Sequence, residues 1–350
     1  MAEAVGGTVV GVDMTALDLR VLFTGVITIA NVSHVVVDYG GGDSDQFFGT
    51  FDYAAPGLLN GGTITDIREF DNGAMKFDAN FLHIPVLTFM DWIANGQTDL
   101  ALSTMFAGAD KFTGSPFDDV LNSYAGNDTI NSGAGNDVVL AGDGNDHVSA
   151  GAGNDTVSGG AGNDTIEGNE GVSYLRGDDG NDLIVGGSSF DDINGNQGND
   201  TLKGGGGDDW VVGGKDDDNL SGEDGADIVY GNLGNDTCSG GAGADLIRGG
   251  QGNDVINGGD GNDWLSGDRG SDVLTGGQGA DTFHFFAGAD VDRVLDFHWF
   301  EGDRVQLDPG SVYTLSQVGA DTVLRIGATD QLILVGVQLS TLPDGWVFAG

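Results

Sequence analysis

The sequence predicts an all-β protein in which a coil of short stacked strands lies between a β-rich N-terminal domain and a C-terminal β cap. Residues 105–284 divide into twenty consecutive nine-residue blocks without an insertion or deletion. The eighth place is apolar in all twenty blocks, the sixth is Asp in nineteen and the fourth is Gly in seventeen. We therefore divide the chain into residues 1–104, 105–284 and 285–350.

The N-terminal domain shows no nine-residue phase and contains several runs that are rich in Val, Ile, Thr and Phe. These runs predict strands at 20–30, 33–39, 47–53 and 62–70. Apolar residues at helical spacing, such as Val86, Phe89 and Met90, predict one short helix at 82–94. Residues 1–104 are thus expected to form a small β-rich domain with one helix near its end.

The nine-residue block of the central region reads Gly-Gly-x-Gly-x-Asp-x-(apolar)-x, as in residues 159–167. The Gly-rich part favours a tight turn, because Gly adopts positive φ without steric cost. The last three places form a minimal strand with the apolar side chain on one face and its neighbours on the other. One apolar residue per block cannot form a core alone, so the blocks must stack. Two strands that face each other complete an eighteen-residue turn, which gives about ten turns in a rod on the order of 50 Å long.

The sixth-place carboxylates fall into two columns that step by eighteen residues. The first column is Asp110, Asp128, Asp146, Asp164, Asp182, Asp200, Asp218, Asp236, Asp254 and Asp272. The second is Asp119, Asp137, Asp155, Ser173, Asp191, Asp209, Asp227, Asp245, Asp263 and Asp281. Carboxylates stacked about 5 Å apart repel unless a cation lies between them. Carboxylates and Gly-turn carbonyls together make an all-oxygen site of the kind that Ca²⁺ takes, so multiple Ca²⁺ ions are expected.

The block resembles the RTX (hemolysin-type) nonapeptide repeat, whose calcium-binding β-helix pattern it matches across residues 105–284. The resemblance implies a right-handed parallel β-roll that holds each Ca²⁺ between two successive turns. It implies that the sixth-place Asp residues are side-chain ligands and that first-, second- and fourth-place residues donate carbonyls. The expected fourth-place donors are Gly126, Gly135, Gly144, Gly153, Gly162, Gly180, Gly198, Gly234, Gly243, Gly252 and Gly261. It also implies export by a type I (ABC-transporter) secretion system through an uncleaved C-terminal signal.

Four residues depart from the repeat pattern. Ser173 replaces a sixth-place Asp, and Ser189 and Asp216 replace fourth-place Gly. The sites that border these three residues are expected to be weak or empty. Phe117, also at a fourth place, predicts irregular first turns.

Composition restricts the possible partners and the compartment. The formal net charge of -43, from 55 acidic and 12 basic residues, excludes nucleic acid, whose phosphates require a basic patch. No run of eighteen apolar residues and no N-terminal cleavable signal is present. Calcium sites of the extracellular class need about 10⁻⁴–10⁻³ M ion, which the cytosol does not supply. The expected location is therefore outside the cell, free or at the cell surface, with export through the C-terminal route.

The C-terminal segment is expected to close the coil and to carry the secretion signal. Strands are predicted at 322–326 and 331–337. Residues 294–297 and 302–307 resemble the segment that follows the roll in many RTX proteins. Nearby acidic residues are candidates for a last calcium site, namely Asp290, Asp292, Asp296 and Asp303. The single cysteine, Cys238, stands at an eighth place and is expected to face inward.

Two functional classes remain open on the sequence. The leading hypothesis is a secreted, calcium-folded, non-enzymatic structural or interaction protein of the cell surface or extracellular matrix. The alternative is a secreted hydrolase with its catalytic site in residues 1–104 and the roll as an export and stability module. No His-Glu-x-x-His and no Gly-x-Ser-x-Gly occurs in the chain, which removes two common hydrolase motifs. A membrane-lytic toxin is disfavoured, because long apolar segments are missing and only four lysines occur.

One outward surface is expected to bind a partner or a second copy. In the C-terminal half of the coil, four successive turns of one sheet carry the outward seventh- and ninth-place pairs Trp210/Val212, Ile228/Tyr230, Leu246/Arg248 and Trp264/Ser266, which are mostly apolar or aromatic. We call this set the apolar stripe: Trp210, Val212, Ile228, Tyr230, Leu246 and Trp264. Monomers rarely expose a contiguous patch of this kind, and Trp and Tyr are common interface anchors. The alternative is that residues 1–104 or the C-terminal segment cover it.

Overall fold

The computed structural model describes residues 26–31, 34–40, 43–55, 58–71, 74–85 and 106–350. The chain forms two compact units, residues 1–161 and residues 162–350. The described residues are all-β apart from a single 3-10 turn at Leu339–Thr341. Within the described part of the chain, no helix is long and apolar enough to span a membrane.

The first unit begins with an antiparallel sheet in which each strand pairs with the next one along the chain. Its strands are β1 (Val26–Asn31), β2 (His34–Gly40), β3 (Asp43–Ala55), β4 (Leu58–Asp71) and β5 (Ala74–Pro85). The four strands predicted here are observed with shifted bounds, and β5 is additional. The helix predicted at 82–94 is wrong in its first residues, because Ile84 pairs with Ile64 and β5 runs to Pro85. Residues 86–94 lie outside the described residues.

The same unit contains the first coil turns, in two parallel sheets. The strands are β6 (Lys111–Thr113), β7 (Val120–Asn122), β8 (Thr129–Asn131), β9 (Val138–Asp143), β10 (His147–Ser149) and β11 (Thr156–Ala161). Even-numbered strands form one sheet and odd-numbered strands the other. Leu121 pairs with Val139, and Val139 pairs with Val157. Each residue thus meets the residue eighteen places on, as the predicted coil turn requires.

The second unit continues the same alternation of strands. Its first strands are β12 (Thr165–Asn169), β13 (Tyr174–Asp179), β14 (Leu183–Gly187), β15 (Asp192–Gln197), β16 (Thr201–Gly206), β17 (Trp210–Lys215) and β18 (Asn219–Asp224). The next are β19 (Ile228–Leu233), β20 (Thr237–Ala242), β21 (Leu246–Gln251), β22 (Val255–Asp260), β23 (Trp264–Arg269), β24 (Val273–Gln278) and β25 (Thr282–Phe285). Neighbouring strands in each sheet are parallel and in register at intervals of eighteen residues, as in the pairing of Leu220 with Cys238.

The coil does not end with the last nonapeptide. Two further strands, β26 (Val291–Val294) and β27 (Arg304–Leu307), extend the two sheets by pairing with β24 and β25. The two units together hold about 11 turns, close to the ten that the repeat count predicts. The additional turn lies within residues 285–350, the C-terminal segment.

The remaining strands close the end of the second unit. They are β28 (Tyr313–Val318), β29 (Asp321–Ile326), β30 (Asp330–Leu334) and β31 (Val347–Ala349). In one sheet β30 pairs with β26 and the antiparallel strands β29 and β28 follow, while β31 pairs with β27 in the other. Both strands predicted for this segment are observed, at β29 and β30.

The core of the coil is a ladder of eighth-place side chains, and their neighbours on either side are more exposed, except Ser266 beside Leu265. The side chains of Ile166, Ile184 and Leu202 are fully buried, and Cys238 is buried in the same ladder. Full burial of one such aliphatic side chain contributes about 2 kcal/mol. The ladder therefore supplies most of the apolar stabilisation of each turn and leaves the sixth-place residues to the turn regions.

Candidate metal sites along the turns

Each column of sixth-place aspartates is held together by hydrogen bonds that run along the coil. The backbone N–H of Asp182 donates to Oδ1 of Asp200 at 2.8 Å, and that of Asp200 donates to Oδ1 of Asp218 at 2.8 Å. The second column repeats this arrangement, as in Asp191 N–H to Asp209 Oδ1 at 2.8 Å. One carboxylate oxygen of each aspartate is therefore fixed by the preceding turn.

The other carboxylate oxygen, Oδ2, is buried and has no hydrogen-bond partner in most of these aspartates. This holds for Asp110, Asp128, Asp137, Asp155, Asp182, Asp191, Asp200, Asp209, Asp218, Asp227, Asp236, Asp245, Asp254, Asp263, Asp272 and Asp281. A buried carboxylate oxygen without a partner is costly, and native proteins pair such groups or place a cation beside them. Each of these buried oxygens therefore needs a positive charge beside it, and the need repeats along both columns.

Backbone oxygens lie next to these unpartnered carboxylate oxygens. A Cβ built on first-place Gly213 would lie 2.3 Å from Asp218 Oδ2 and 2.9 Å from the carbonyl oxygen of Gly231, one turn on. The corresponding distances at Gly231 are 2.3 Å to Asp236 Oδ2 and 2.5 Å to the carbonyl oxygen of Gly249. The space that a first-place side chain would fill is therefore lined by oxygen atoms. This donor chemistry fits Ca²⁺, which takes carboxylate and carbonyl ligands.

The fourth-place glycines bring further carbonyls into the turns. Gly180 has a φ of 141°, and a Cβ on it would lie 1.7 Å from the carbonyl oxygen of Gly162. Gly144 stands in the same relation to the carbonyl oxygen of Gly126, also at 1.7 Å. Fourth-place carbonyls thus point along the coil towards the next turn, and glycine stands opposite most of them.

Burial changes the protonation of the columns. Desolvation raises the pKa of Asp200 to about 6, that of Asp254 to about 7 and that of Asp218 to about 8. The carboxylates of Asp200 and Asp236 raise the pKa of Asp218 further through repulsion. At neutral pH the folded coil therefore needs either protons or bound cations at these residues.

The residues that depart from the pattern differ in their effect on the backbone. Asp216 keeps the left-handed conformation of its place, with a φ of 71°. In the turn that contains Ser189, neither Gly187 nor Ser189 has a positive φ, so this turn has lost both left-handed positions. Around Ser173 the turn is retained, because Asn169 and Gly171 have φ values of 70° and 107°. Ser173 therefore removes a carboxylate without changing the backbone.

Replacement of Ser173 by Asp is expected to raise calcium affinity and thermal stability, by about 1 kcal/mol. Ser173 is fully buried, its Oγ has no hydrogen-bond partner, and its N–H already donates to Asp191 Oδ1 at 2.8 Å. The new carboxylate would restore the missing oxygen of its column. Calorimetric calcium titration and thermal melts measure the gain, with Ser221→Asp, an outward ninth-place residue, as the control. A loss of stability with Ser173→Asp alone would show that this turn hosts no site.

The second column is capped by the chain itself at both ends. Asp119 Oδ2 accepts a hydrogen bond from the N–H of Ser115, in the irregular turn predicted from Phe117. At the other end, Asp303 Oδ1 accepts from the N–H of Asp281 at 3.0 Å and Oδ2 accepts from the N–H of His298 at 2.6 Å. Both oxygens of each terminal carboxylate are thus occupied by protein donors, unlike those between them.

Periodicity alone gives only a weak indication of how the columns end. Asp292 Oδ1 accepts from the N–H of Asp272 at 3.1 Å, so Asp292 and Asp303 follow their predecessors after 20 and 22 residues instead of eighteen. Burial and the neighbouring Asp272 raise the pKa of Asp292 to about 9. A local sequence pattern could have identified both residues. Asp292 and Asp303 each precede an Arg-Val pair, which repeats the Asp-x-(apolar) triplet of the nine-residue blocks.

Conventional side-chain sites are not found in the described residues. No group of three or more His, Cys, Asp or Glu side chains there is arranged to hold a metal ion. A Ser-His-Asp alignment does occur, with Ser266 Oγ 3.4 Å from His284 Nδ1 and His284 Nε2 3.3 Å from Asp308 Oδ1. Ser266 is fully buried, however, and its hydroxyl donates to Asp268 Oδ1 at 2.7 Å. A substrate cannot reach this serine, so the alignment is structural.

The apolar stripe forms a continuous ladder on one sheet of the second unit. Trp210 pairs with Ile228, Ile228 with Leu246, and Leu246 with Trp264. Trp210 is 43% exposed, whereas the other members are half-buried by their neighbours above and below. At the far end, Trp264 Nε1 donates to Gln306 Oε1 at 2.8 Å, so the C-terminal segment contacts this end of the stripe.

The chain matches a family model described as the RTX calcium-binding nonapeptide repeat. The matches cover residues 106–139, 140–175, 176–211, 203–238, 239–274 and 257–292, which together exceed half of the chain. No curated protein sequence matches the chain.

Several solved structures are similar to parts of the chain. The R3 subunit of the AlgE6 mannuronan C5-epimerase of Azotobacter vinelandii is 28% identical over 35% of this chain and 79% of its own length, with a TM-score of 0.27. The R2 subunit is 25% identical over 40% of this chain and 91% of its own length, with a TM-score of 0.25. The extracellular lipase LipA of Serratia marcescens is 16% identical over 62% of this chain and 45% of its own length, with a TM-score of 0.23.

Proposed function

The chain belongs to the RTX calcium-binding nonapeptide repeat family, and from this premise we propose that it is a secreted structural or interaction protein that folds on calcium. As an RTX repeat protein it binds multiple Ca²⁺ ions. The observation that supports a folding role is the series of buried, unpartnered Oδ2 atoms along both columns. Bound calcium would supply the charge that each of these atoms lacks.

The sixth-place aspartates are the proposed side-chain ligands, with carbonyls of the first, second and fourth places completing each site. The contacts at Gly213, Asp218 and Gly231 support this assignment, because they bring the Asp218 carboxylate oxygen and the Gly231 carbonyl oxygen of the next turn around one small space. Asp119 is the weakest candidate of the set, since both of its oxygens accept hydrogen bonds from Ser115. The turn around Ser189 is the second weak point.

Calcium-coupled folding suits a protein that works outside the cell. Sites of this class fill at roughly 10⁻⁴–10⁻³ M ion, so the chain would stay unfolded in the cytosol and fold after export. Type I export through residues 285–350 is part of the proposal. Its support is the family assignment and the tail-like segment that follows the repeats.

A non-catalytic role is favoured over the hydrolase alternative. In the described residues, the one Ser-His-Asp alignment has a buried serine, and the sixth-place carboxylates of the turns are buried as well. The alternative places the catalytic site in residues 1–104. Assays of the calcium-loaded protein against peptide, ester and glycan substrates discriminate the two, because turnover of any of these would favour the hydrolase.

The apolar stripe is the proposed contact surface for a partner or for larger assemblies. Replacement of Trp210 and Trp264 by Thr, the residue common at the same places of the other sheet, is expected to abolish association through this face. Calcium-induced folding should persist, because these side chains point away from the buried ladder. Light scattering and electron microscopy in calcium, with circular dichroism as the folding check, measure both effects.

The control for this pair is Tyr174→Thr. Tyr174 is on the same sheet and is 47% exposed, but Asp192 separates it from Trp210 in the ladder. Association that survives the double substitution would eliminate the stripe as the interface. Loss of folding would instead assign the stripe to the core.

A further inference from the structure

The last strand of one sheet in the second unit, β28, has a free edge. Within the described residues it pairs with β29 on one side and with no strand on the other. Such an edge presents a row of unpaired N–H and C=O groups that can bind another strand. Natural edges are usually protected by charge, proline or a bulge, and residues 313–318, Tyr-Thr-Leu-Ser-Gln-Val, contain none of these.

The hairpin geometry decides which backbone groups point outward. A two-residue loop, Gly319-Ala320, connects β28 to β29, and Val318 pairs with Asp321 across it. In such a hairpin the closing pair exchanges hydrogen bonds, and every second pair behind it does the same. Ser316 and Thr314 therefore bond to β29. The N–H and C=O groups of Gln317, Leu315 and Tyr313 point to the open edge.

The apolar face of this sheet is incomplete at the same strand. Leu324 and Ile326 of β29 are buried in the core. Their cross-strand partners, Leu315 and Tyr313, are 37% and 39% exposed, because no strand lies beyond them. A further strand would extend both the hydrogen-bond ladder and the apolar face.

Charge points to a second copy of this chain as the added strand. The chain carries a net charge of -43, so two copies repel each other over most of their surface. Residues 309–320 contain no charged residue, so β28 strands from two copies meet without like charges between them. The strand is also self-complementary when it is turned antiparallel about Leu315, because its outward-bonding residues then face each other.

We propose that β28 pairs with β28 of a second copy, antiparallel and centred on Leu315, to form a closed two-fold dimer. In this register Leu315 faces the same residue of the other copy, and Tyr313 faces Gln317. A two-fold contact uses the same patch on both copies, so the association stops at the dimer. The proposal is independent of the apolar stripe and uses a different surface.

Sedimentation of the full chain in calcium tests the dimer through Leu315→Pro and Leu315→Ala. Both variants lose the exposed side chain, but only proline removes the outward N–H, and an edge strand tolerates proline at such a position. We expect Leu315→Pro to weaken the dimer about 100-fold or more and Leu315→Ala about tenfold or less. The two Leu315 variants should weaken the dimer by the same factors in a chain in which Trp210 and Trp264 are also changed to Thr. This separates the β28 contact from the apolar stripe.

A covalent readout covers the case in which Leu315→Pro fails to fold. Opposed residues of a hydrogen-bonded pair have Cα atoms about 5.5 Å apart, within disulfide range. Mild oxidation of Leu315→Cys should give a disulfide-linked dimer, whereas Val312→Cys, which is 83% exposed before the strand, should give little. A parent that stays monomeric at about 100 µM, or equal cross-linking of the two variants, would overturn the proposal.

Discussion

Removal of calcium is expected to unfold the coil cooperatively, with loss of its β-sheet circular dichroism signal and expansion of the chain. The buried Oδ2 atoms of residues such as Asp200, Asp218 and Asp236 have no protein donor to replace the ion. Each turn also bonds to the next through Asp N–H to Asp Oδ1 contacts, so one turn cannot open alone. For each calcium ion that is released when the coil unfolds, a tenfold fall in free calcium lowers the free energy of unfolding by about 1.4 kcal/mol.

The measurement is a calcium titration followed by far-UV circular dichroism and light scattering. The transition is expected at roughly 0.1–1 mM free ion and should be steep. Magnesium is the matched control, because Mg²⁺ prefers octahedral sites with several retained waters and fits this turn poorly. Native β signal that persists in excess EDTA at neutral pH would contradict the prediction.

Acid is expected to replace calcium in part. Without the ion, desolvation raises the pKa of buried aspartates from 3.8 to about 6 at Asp200 and about 8 at Asp218. Between the unfolded pKa of 3.8 and these raised folded pKa values, the folded chain binds more protons than the unfolded chain. The stability of the folded chain therefore falls as the pH rises through this range. The stabilising effect is complete below about pH 4 and is lost as the pH passes through about 6 to 8.

In EDTA, the β signal should therefore return as the pH is lowered from neutral to about 5, above the sequence pI of 4.1. With saturating calcium, the β signal should depend much less on pH over the same range, because the ion already neutralises the carboxylates. Asp218→Asn offers a single-site check: it should stabilise the calcium-free coil at neutral pH and weaken calcium binding. An EDTA-treated chain that stays unfolded at every pH would show that carboxylate charge is not what opposes folding.

Unfolding on removal of calcium and refolding in acid follow from the same structural feature. The sixth-place carboxylate bonds through one oxygen to the neighbouring turn and leaves the other in a small space beside a first-place glycine. Protonation removes the charge from that space, whereas bound calcium would balance the charge and would also bond to neighbouring carbonyls such as that of Gly231. Calcium should therefore give the more stable fold of the two.

The sequence by itself determined the coil and its chemistry. A strict nine-residue phase sets a strand with one buried residue and a Gly-rich turn, so the eighteen-residue pairing, the buried ladder and the two Asp columns could all be predicted. The all-oxygen chemistry of these columns indicated calcium, and the resemblance to the RTX repeat added the expected carbonyl donors. Ser189 was also singled out by its departure from the repeat pattern, and the turn that contains it lacks the left-handed positions of the other turns.

Only the tertiary structure decided how the coil ends. Asp292 and Asp303 join the columns after irregular spacings, since the loops before them contact distant residues that no period records, as in Gly288 N–H to Asp330 Oδ2 and the Phe297 ring against Trp346. A helix was predicted at 82–94, but its first residues, 82–85, belong to strand β5. Pairing with β4 stabilises the strand there more than a helical spacing of apolar residues stabilises a helix. The free edge at β28 depends on which strands meet last, and that order is set by packing across the whole C-terminal segment.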